Sequence, residues 1–383
     1  MSRKRYPMPG LSVGLRCQLD VIVKEKAMSL QHPLNNFDGL RLIAAVAVLV
    51  GHAWPLTGRS DAPAIAGLLV SHLAVYVFFS ISGYLITVSW NSSPRVASYL
   101  RRRAARIFPA LLAVLLTTVL VIGPISTVLP IGRYFATPET WEYLAAGMLL
   151  APRYTLPGVF QANPSSAVNG SLWSLGPEFI SYLLVIVVGL LALAFPEKWR
   201  AASATLVFAA FGIMLAVAYW TVPIEAIQDS APAMVFFVVG SSIARFAVGA
   251  RLPLWPVIPL ILMWILVSAI SDAATVYAAW LAVPYASIAV GQRSWPVLSK
   301  LGRYGDFSYG IYLWSFPLQQ VVWLIAPAIP LLPNICLVLV ATSAAAVVSW
   351  FLIERPAIRW ARRTAGSKAL KAPLHETIAT VVR

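Results

Sequence analysis

An arginine and a histidine stand eleven positions apart in the first apolar stretch of the chain. Arg41 lies near its start, and His52 follows Gly51 near its end. At 100° per residue, a helix returns the second side chain to within about 20° of the first, with an axial separation of about 16 Å. One helix face would then carry an anion-binding guanidinium and an imidazole that can act as a general base. Taken separately, Arg41 also fits an interface anchor and His52 a structural histidine.

Two further arginines form a second candidate group. Arg102 and Arg106 belong to the basic run just before the third apolar stretch. Residues four apart share a helix face, so the pair presents two guanidinium forks that suit phosphate groups. A positive anchor at the membrane surface is the alternative interpretation.

A carboxylate inside the fourth apolar stretch is the third candidate. Glu178 follows Trp173, Ser174 and Pro177 and stands about two turns into the stretch. A helix dipole favours a carboxylate near its N-terminus. An acid this deep in an apolar segment also needs a buried partner, for which an arginine or a substrate hydroxyl would serve.

The elements that must position these residues are membrane-spanning helices. Of 383 residues, 59% are hydrophobic and 11% charged, against about 25% charged in a soluble domain. The apolar residues fall into blocks of about 17–25, the length that crosses a hydrocarbon layer of about 30 Å. We predict an all-α, polytopic membrane protein of about ten transmembrane helices, near residues 40–56, 65–90, 107–129, 172–195, 202–220, 232–248, 254–270, 273–290, 307–326 and 334–353.

The basic residues predict the orientation of these helices. With a cytoplasmic N-terminus, only Arg59, Arg133 and Arg153 of the 29 Lys and Arg residues fall outside, as the positive-inside rule requires. We therefore predict a multi-pass protein of the inner (plasma) membrane with both termini cytoplasmic, and explain the charge of +15 by orientation rather than by nucleic-acid binding.

The predicted regions are a basic leader (1–35), a transmembrane domain (36–356) and a basic tail (357–383). The outer connection 130–171 is long enough for a lid or binding loop.

The chain from Asn36 to Pro356 resembles the acyltransferase 3 family of membrane O-acyltransferases. The most specific match is the arginine and histidine separated by ten residues in the first helix, here Arg41 and His52. Other matches follow in the family's order: Phe-Phe-Ser-Ile-Ser-Gly-Tyr at 78–84, Arg102 with Arg106, Trp173-Ser174 with Glu178, Ser308-Tyr309 with Tyr312-Leu313-Trp314, and Glu354-Arg355-Pro356. The chain resembles the stand-alone type, similar to exopolysaccharide and Nod-factor O-acetyltransferases.

The resemblance implies transfer of an acyl group, usually acetyl, from cytoplasmic acyl-CoA to a hydroxyl of a carbohydrate or glycolipid acceptor. Two positions depart from the family's pattern. Ser315 stands where many members have histidine, and Tyr76 stands where an aspartate often precedes the Phe-Phe pair by two positions. We expect these departures to bear on the acceptor.

We expect Arg102, Arg106 and Arg41 to hold the CoA phosphates and His52 to deprotonate the acceptor hydroxyl. Glu178 would orient His52 or the sugar. A covalent route through Ser82 or Ser174 is equally open. No metal is expected, because the histidines at 32, 52, 72 and 375 form no ligand cluster. The alternative function is a secondary transporter or flippase of a polar lipid-linked intermediate, although no repeated halves support it.

Overall fold

The structure, a computed structural model, describes residues 35–246 and 250–367. The predicted leader, apart from residue 35, and the end of the predicted tail lie outside the described residues. Two short strands, β1 (Ala64–Ile65) and β2 (Leu68–Leu69), pair antiparallel. The helices in chain order are α1 (Phe37–Leu56), α2 (Val70–Ser92), α3 (Val96–Thr117), α4 (Gly123–Ser126), α5 (Ile131–Ala136), α6 (Pro138–Met148), α7 (Leu175–Ala192), α8 (Glu197–Thr221), α9 (Glu225–Phe246), α10 (Val257–Ser268), α11 (Asp272–Gly291), α12 (Leu298–Leu301), α13 (Ser308–Ile325), α14 (Leu331–Ser349) and α15 (Arg355–Ser367).

The all-α, polytopic architecture is confirmed. Among the described residues, eight helical runs are long and apolar enough to cross a membrane, and each overlaps one predicted span: Phe37–Leu56, Val70–Ser92, Val96–Ser126, Gly170–Ala192, Glu197–Thr221, Glu225–Phe246, Asp272–Gly291 and Leu331–Thr364. The other two predicted spans coincide with α10, of 12 residues, and α13, of 18 residues.

Helix α13 is a central element of the bundle rather than a plain lipid-facing span. It packs against α1 on one side and α14 on the other, and both Gln319 and Gln320 within it are fully buried. Gln319 donates to Asn334 of α14 (3.2 Å). A buried amide must be hydrogen-bonded, so the polar composition of α13 reflects contact with protein.

Glycines allow the helices around the site to approach closely. A Cβ on Gly83 of α2 would lie 2.1 Å from the Phe237 carbonyl oxygen of α9, and one on Gly240 would lie 2.2 Å from that of Ser80. A Cβ on Gly51 of α1 would lie 2.8 Å from Ser71 of α2. Small residues at such crossings let membrane helices approach closely and gain van der Waals contact.

The connection predicted as a lid or binding loop is held against α13. It contains α5 and α6, followed by a segment without regular structure up to the 3₁₀ turn Gly170–Ser174. The Gln320 amide donates to the carbonyls of Ser165 (2.7 Å) and Ala167 (2.5 Å). Asn169 caps the 3₁₀ turn through Ser171 N–H and donates to the Leu313 carbonyl (3.0 Å). The segment is therefore held along α13 by hydrogen bonds at two positions, Leu313 and Gln320.

Candidate active site

A small cavity lies between α1, α2, α3, α7 and α13 and brings together three of the predicted site residues. Its volume is about 40 Å³, room for a few water molecules. Arg41, Arg106 and Glu178 all line it. The full lining is Arg41, Val75, Phe78, Phe79, Arg106, Ile107, Ser174, Leu175, Glu178, Tyr182, Tyr309 and Tyr312.

Four charged side chains form an ion cluster at one end of this cavity. Arg41 Nη1 donates to Asp306 Oδ2 (3.0 Å), and Arg106 Nη2 donates to the same oxygen (2.6 Å). Arg106 Nη1 also donates to Glu354 Oε2 (3.1 Å). The two positive and two negative charges cancel, so Arg106 is already paired with two acids. Arg106 is therefore less free to bind phosphate than the sequence predicted.

The two acids of the ion cluster were not among the predicted site residues. Glu354 is 1% exposed and ends a π-helical turn, Trp350–Glu354, between α14 and α15. Its other oxygen accepts from Ser349 (3.0 Å). Asp306 precedes α13 and also accepts from the Ser308 hydroxyl. The sequence offers one clue to them: each is an acidic residue beside an apolar helix. An acid in such a place requires a charged or polar partner.

Glu178 lines the cavity without joining the ion cluster. Its Oε1 accepts from the Tyr182 hydroxyl (2.6 Å), one turn along α7, and from Ser82 of α2 (3.4 Å). The partner expected from sequence was an arginine or a substrate hydroxyl. The structure instead supplies hydroxyls of the protein, and it places Glu178 beside the arginines rather than beside His52.

A hydroxyl pair continues from the cavity toward the other end of α13. Tyr312 donates to the Ser171 carbonyl (2.5 Å), and Ser174 Oγ lies 2.6 Å from the Tyr312 oxygen. A phenol has one proton, so the Ser174 hydroxyl donates to Tyr312. Of the two serines considered for a covalent route, Ser174 lines the cavity and Ser82 contacts Glu178.

His52 lies beyond the cavity, against α13. Its ring packs edge-on against Phe316, with centroids 5.3 Å apart and an interplanar angle of 68°. Phe316 is one turn past Tyr312. The His52 Nδ1 atom is buried and, among the described residues, makes no hydrogen bond of normal geometry. Arg41 contacts Asp306 at the start of α13 and His52 contacts Phe316 within it, so both side chains face the same neighbouring helix.

Arg102 does not share the ion cluster with Arg106. Its Nη1 donates to Ser98 (2.6 Å), one turn earlier in α3. In the part of the chain that the structure describes, no carboxylate lies within 4 Å of it. Arg102 therefore keeps its positive charge at the Arg41 end of the bundle.

Across the described residues, no three His, Cys, Asp or Glu side chains are grouped to hold a metal ion.

Comparisons with known proteins identify the family to which the chain is similar. A protein family described as an acyltransferase domain, the acyltransferase 3 family, matches residues 34–354. An O-acetyl transferase of Shigella phage Sf6 is 27% identical over 347 residues, covering 85% of this chain and 96% of the phage protein. Nodulation protein 10 of Rhizobium leguminosarum bv. viciae is 30% identical over 381 residues, covering 85% and 93% of the two chains. Acyltransferase MdmB of Streptomyces mycarofaciens is 30% identical over 155 residues, covering 39% of this chain and 38% of its own. No solved structure matches the chain.

Proposed function

Because the chain belongs to the acyltransferase 3 family, we propose that this membrane O-acyltransferase moves an acetyl group from acetyl-CoA to a hydroxyl of a cell-surface or exported carbohydrate. The acetyl group is proposed from the phage relative named an O-acetyl transferase. The carbohydrate or glycolipid acceptor and the inner (plasma) membrane location follow from the resemblance and the predicted topology.

The observation that carries the proposal is the placement of Arg41 and His52 along α13. One helix pair, α1 and α13, joins a cationic end to an imidazole about 16 Å away along the axis. The cavity that Arg41 lines lies at the cationic end, and beyond it the Phe316 ring packs against His52. An extended donor that binds by its phosphates at one end would bring its thioester toward the other.

At the donor end, we assign the CoA phosphates to Arg102, with Arg106 and Arg41 behind it. Arg102 has no carboxylate partner in the described chain, so its guanidinium can make charge-assisted hydrogen bonds to phosphate. Arg41 and Arg106 are held in place by Asp306 and Glu354. Because these acids neutralise them, their contribution would be to line the cavity behind Arg102.

At the other end, His52 acts as the general base. Its imidazole takes the proton of the acceptor hydroxyl, and the oxygen attacks the thioester carbonyl carbon. The carbon–sulfur bond breaks, and the CoA thiolate leaves and takes the proton from the imidazolium. General base catalysis of this kind contributes about 10²–10⁴ in rate. Glu178, hydrogen-bonded to Tyr182 and Ser82, shapes the path of the acyl arm.

The test is transfer of label from radiolabelled acetyl-CoA to extracted cell-envelope carbohydrate. Membranes bearing the wild-type chain are compared with membranes bearing His52→Ala. We expect label in carbohydrate that falls by at least about 10²-fold in the variant. Equal label in both membranes, or none with any acyl-CoA, would overturn the proposal.

The same membranes separate direct transfer from the covalent route. In the absence of acceptor, a serine intermediate would leave acid-stable label on the protein. Loss of that label in Ser174→Ala, but not in Ser82→Ala, would assign the acyl group to Ser174. Direct transfer leaves the protein unlabelled.

A further inference from the structure

A second, larger cavity opens at the opposite end of the bundle from the ion cluster. Its volume is about 400 Å³, within the range of small-molecule sites. The β1–β2 hairpin that follows α1 forms one wall, the beginning of α2 another, and the end of α8 with the first turns of α9 a third. Because α1 begins near Arg41 and ends at this hairpin, the cavity lies at the His52 end.

Aromatic side chains supply the walls of this cavity. Tyr76, Trp173, Tyr219 and Trp220 all line it. Tyr76 is fixed by stacking on Phe236, with centroids 4.4 Å apart and an interplanar angle of 16°. Such rings offer flat apolar faces that are already ordered before a ligand arrives, which lowers the cost of binding.

The remaining polar lining consists of one carboxylate, one amide and one imidazole. Asp229 and Gln228 are exposed at the rim, and His72 packs edge-on against Trp173 with centroids 6.5 Å apart. The described lining holds no lysine or arginine, so it does not suit phosphate. It offers carboxylate and amide acceptors, amide donors and an imidazole, which suit a neutral polyol.

The cavity is adjacent to His52 through two contacts. His52 and His72 directly follow Gly51 and Ser71, which lie at a close crossing of α1 and α2. The 3₁₀ turn that carries Trp173 also carries Gly170, where an added Cβ would lie 2.6 Å from the Phe316 ring. Phe316 in turn contacts His52. A ligand in this cavity and the proposed base His52 would therefore lie on either side of the 3₁₀ turn Gly170–Ser174.

We propose that this cavity binds a neutral sugar ring of the acceptor, stacked on Trp173 and Trp220 with its hydroxyls on Asp229 and Gln228. The inference rests on the proposed function for the identity of the ligand as acceptor. A sugar fits this lining because the aromatic rings offer apolar faces to the ring carbons and the polar groups can bind the hydroxyls, whereas the described lining has no lysine or arginine to bind an anion. The donor and acceptor then enter from opposite ends.

The test is direct binding, measured as tryptophan fluorescence of the purified full chain in nanodiscs. The probes are the methyl glycosides of glucose, galactose and N-acetylglucosamine, with choline chloride as the alternative ligand of an aromatic cage. Three variants are compared with wild type: Trp220→Leu, Asp229→Asn and, as matched control, Trp199→Leu. Trp199 lies at the far end of α8 and is 57% exposed, against 46% for Trp220.

We expect a saturable change with at least one glycoside, in the millimolar range usual for a ligand of few atoms. Affinity should fall about ten-fold or more in Trp220→Leu and Asp229→Asn and stay unchanged in Trp199→Leu. Three results would overturn the inference: no saturable change with any glycoside, equal loss in Trp199→Leu, or saturation by choline alone. Glycoside binding without acetyl transfer would instead refute the proposed function and leave the site in place.

Discussion

Replacing Glu354 by glutamine removes one negative charge from the buried ion cluster while keeping the shape of the side chain. Glu354 is 1% exposed and Arg106 13%. The change takes the cluster from neutral to a net charge of one and leaves Arg106 to share Asp306 with Arg41. Breaking a buried pair costs about 3–5 kcal/mol. Because the partners keep some exposure, we expect about 3 kcal/mol of lost stability.

The matched control is Glu142→Gln, which breaks the Arg153–Glu142 ion pair of 2.9 Å. Those side chains are 58% and 48% exposed, and exposed pairs contribute about 0–1 kcal/mol. Thermal unfolding of both variants in the same detergent compares the two pairs. The Tm of Glu354→Gln should fall clearly below that of wild type, and the Tm of Glu142→Gln should barely move. Equal shifts would refute the interpretation of the cluster as a buried, mutually neutralising unit.

Three further substitutions, two of them paired with a comparison variant, test the packing and the site. Gly83→Ala should cost about 1–3 kcal/mol by forcing α2 away from α9, visible as a lower Tm. Gly132→Ala, with no atom within 4 Å of the added carbon, should leave the Tm unchanged or slightly raised, because alanine favours the helix. Arg102→Gln should raise the KM for acetyl-CoA about ten-fold with an unchanged Tm; Arg106→Gln, which breaks two ion pairs, should lower the Tm. Tyr312→Phe should cost about 1–3 kcal/mol in thermal unfolding, because the buried Ser174 hydroxyl loses its acceptor and the Ser171 carbonyl loses the phenol donor.

Hydropathy predicted most of the helices. It could not predict that α10 is short or that α13 is surrounded by protein. The eight confirmed spans are long apolar runs, which any bilayer-spanning helix requires. The predicted spans at α10 and α13 were also found as helices, but α10 is short and α13 buries Gln319 and Gln320 against protein. Local composition does not distinguish lipid from a neighbouring helix as the surroundings of a segment.

The helical period predicted the common face of Arg41 and His52, because both lie on one helix. It could not identify Asp306 or Glu354, whose partners are 265 and 248 positions away in the sequence. The cost of burying an acid predicted a partner for Glu178, and the structure supplies the Tyr182 hydroxyl from one turn away on the same helix. The departure at Tyr76, expected to bear on the acceptor, lies in the second cavity.

The most direct test of the account is acetyl transfer across a sealed bilayer. The purified chain is reconstituted in vesicles, radiolabelled acetyl-CoA is enclosed, and extracted envelope carbohydrate is added outside; wild type is compared with His52→Ala. We expect label on the external carbohydrate with wild type and about 10²-fold less with the variant. Transfer only when donor and acceptor share one compartment, or transfer undiminished by His52→Ala, would contradict it.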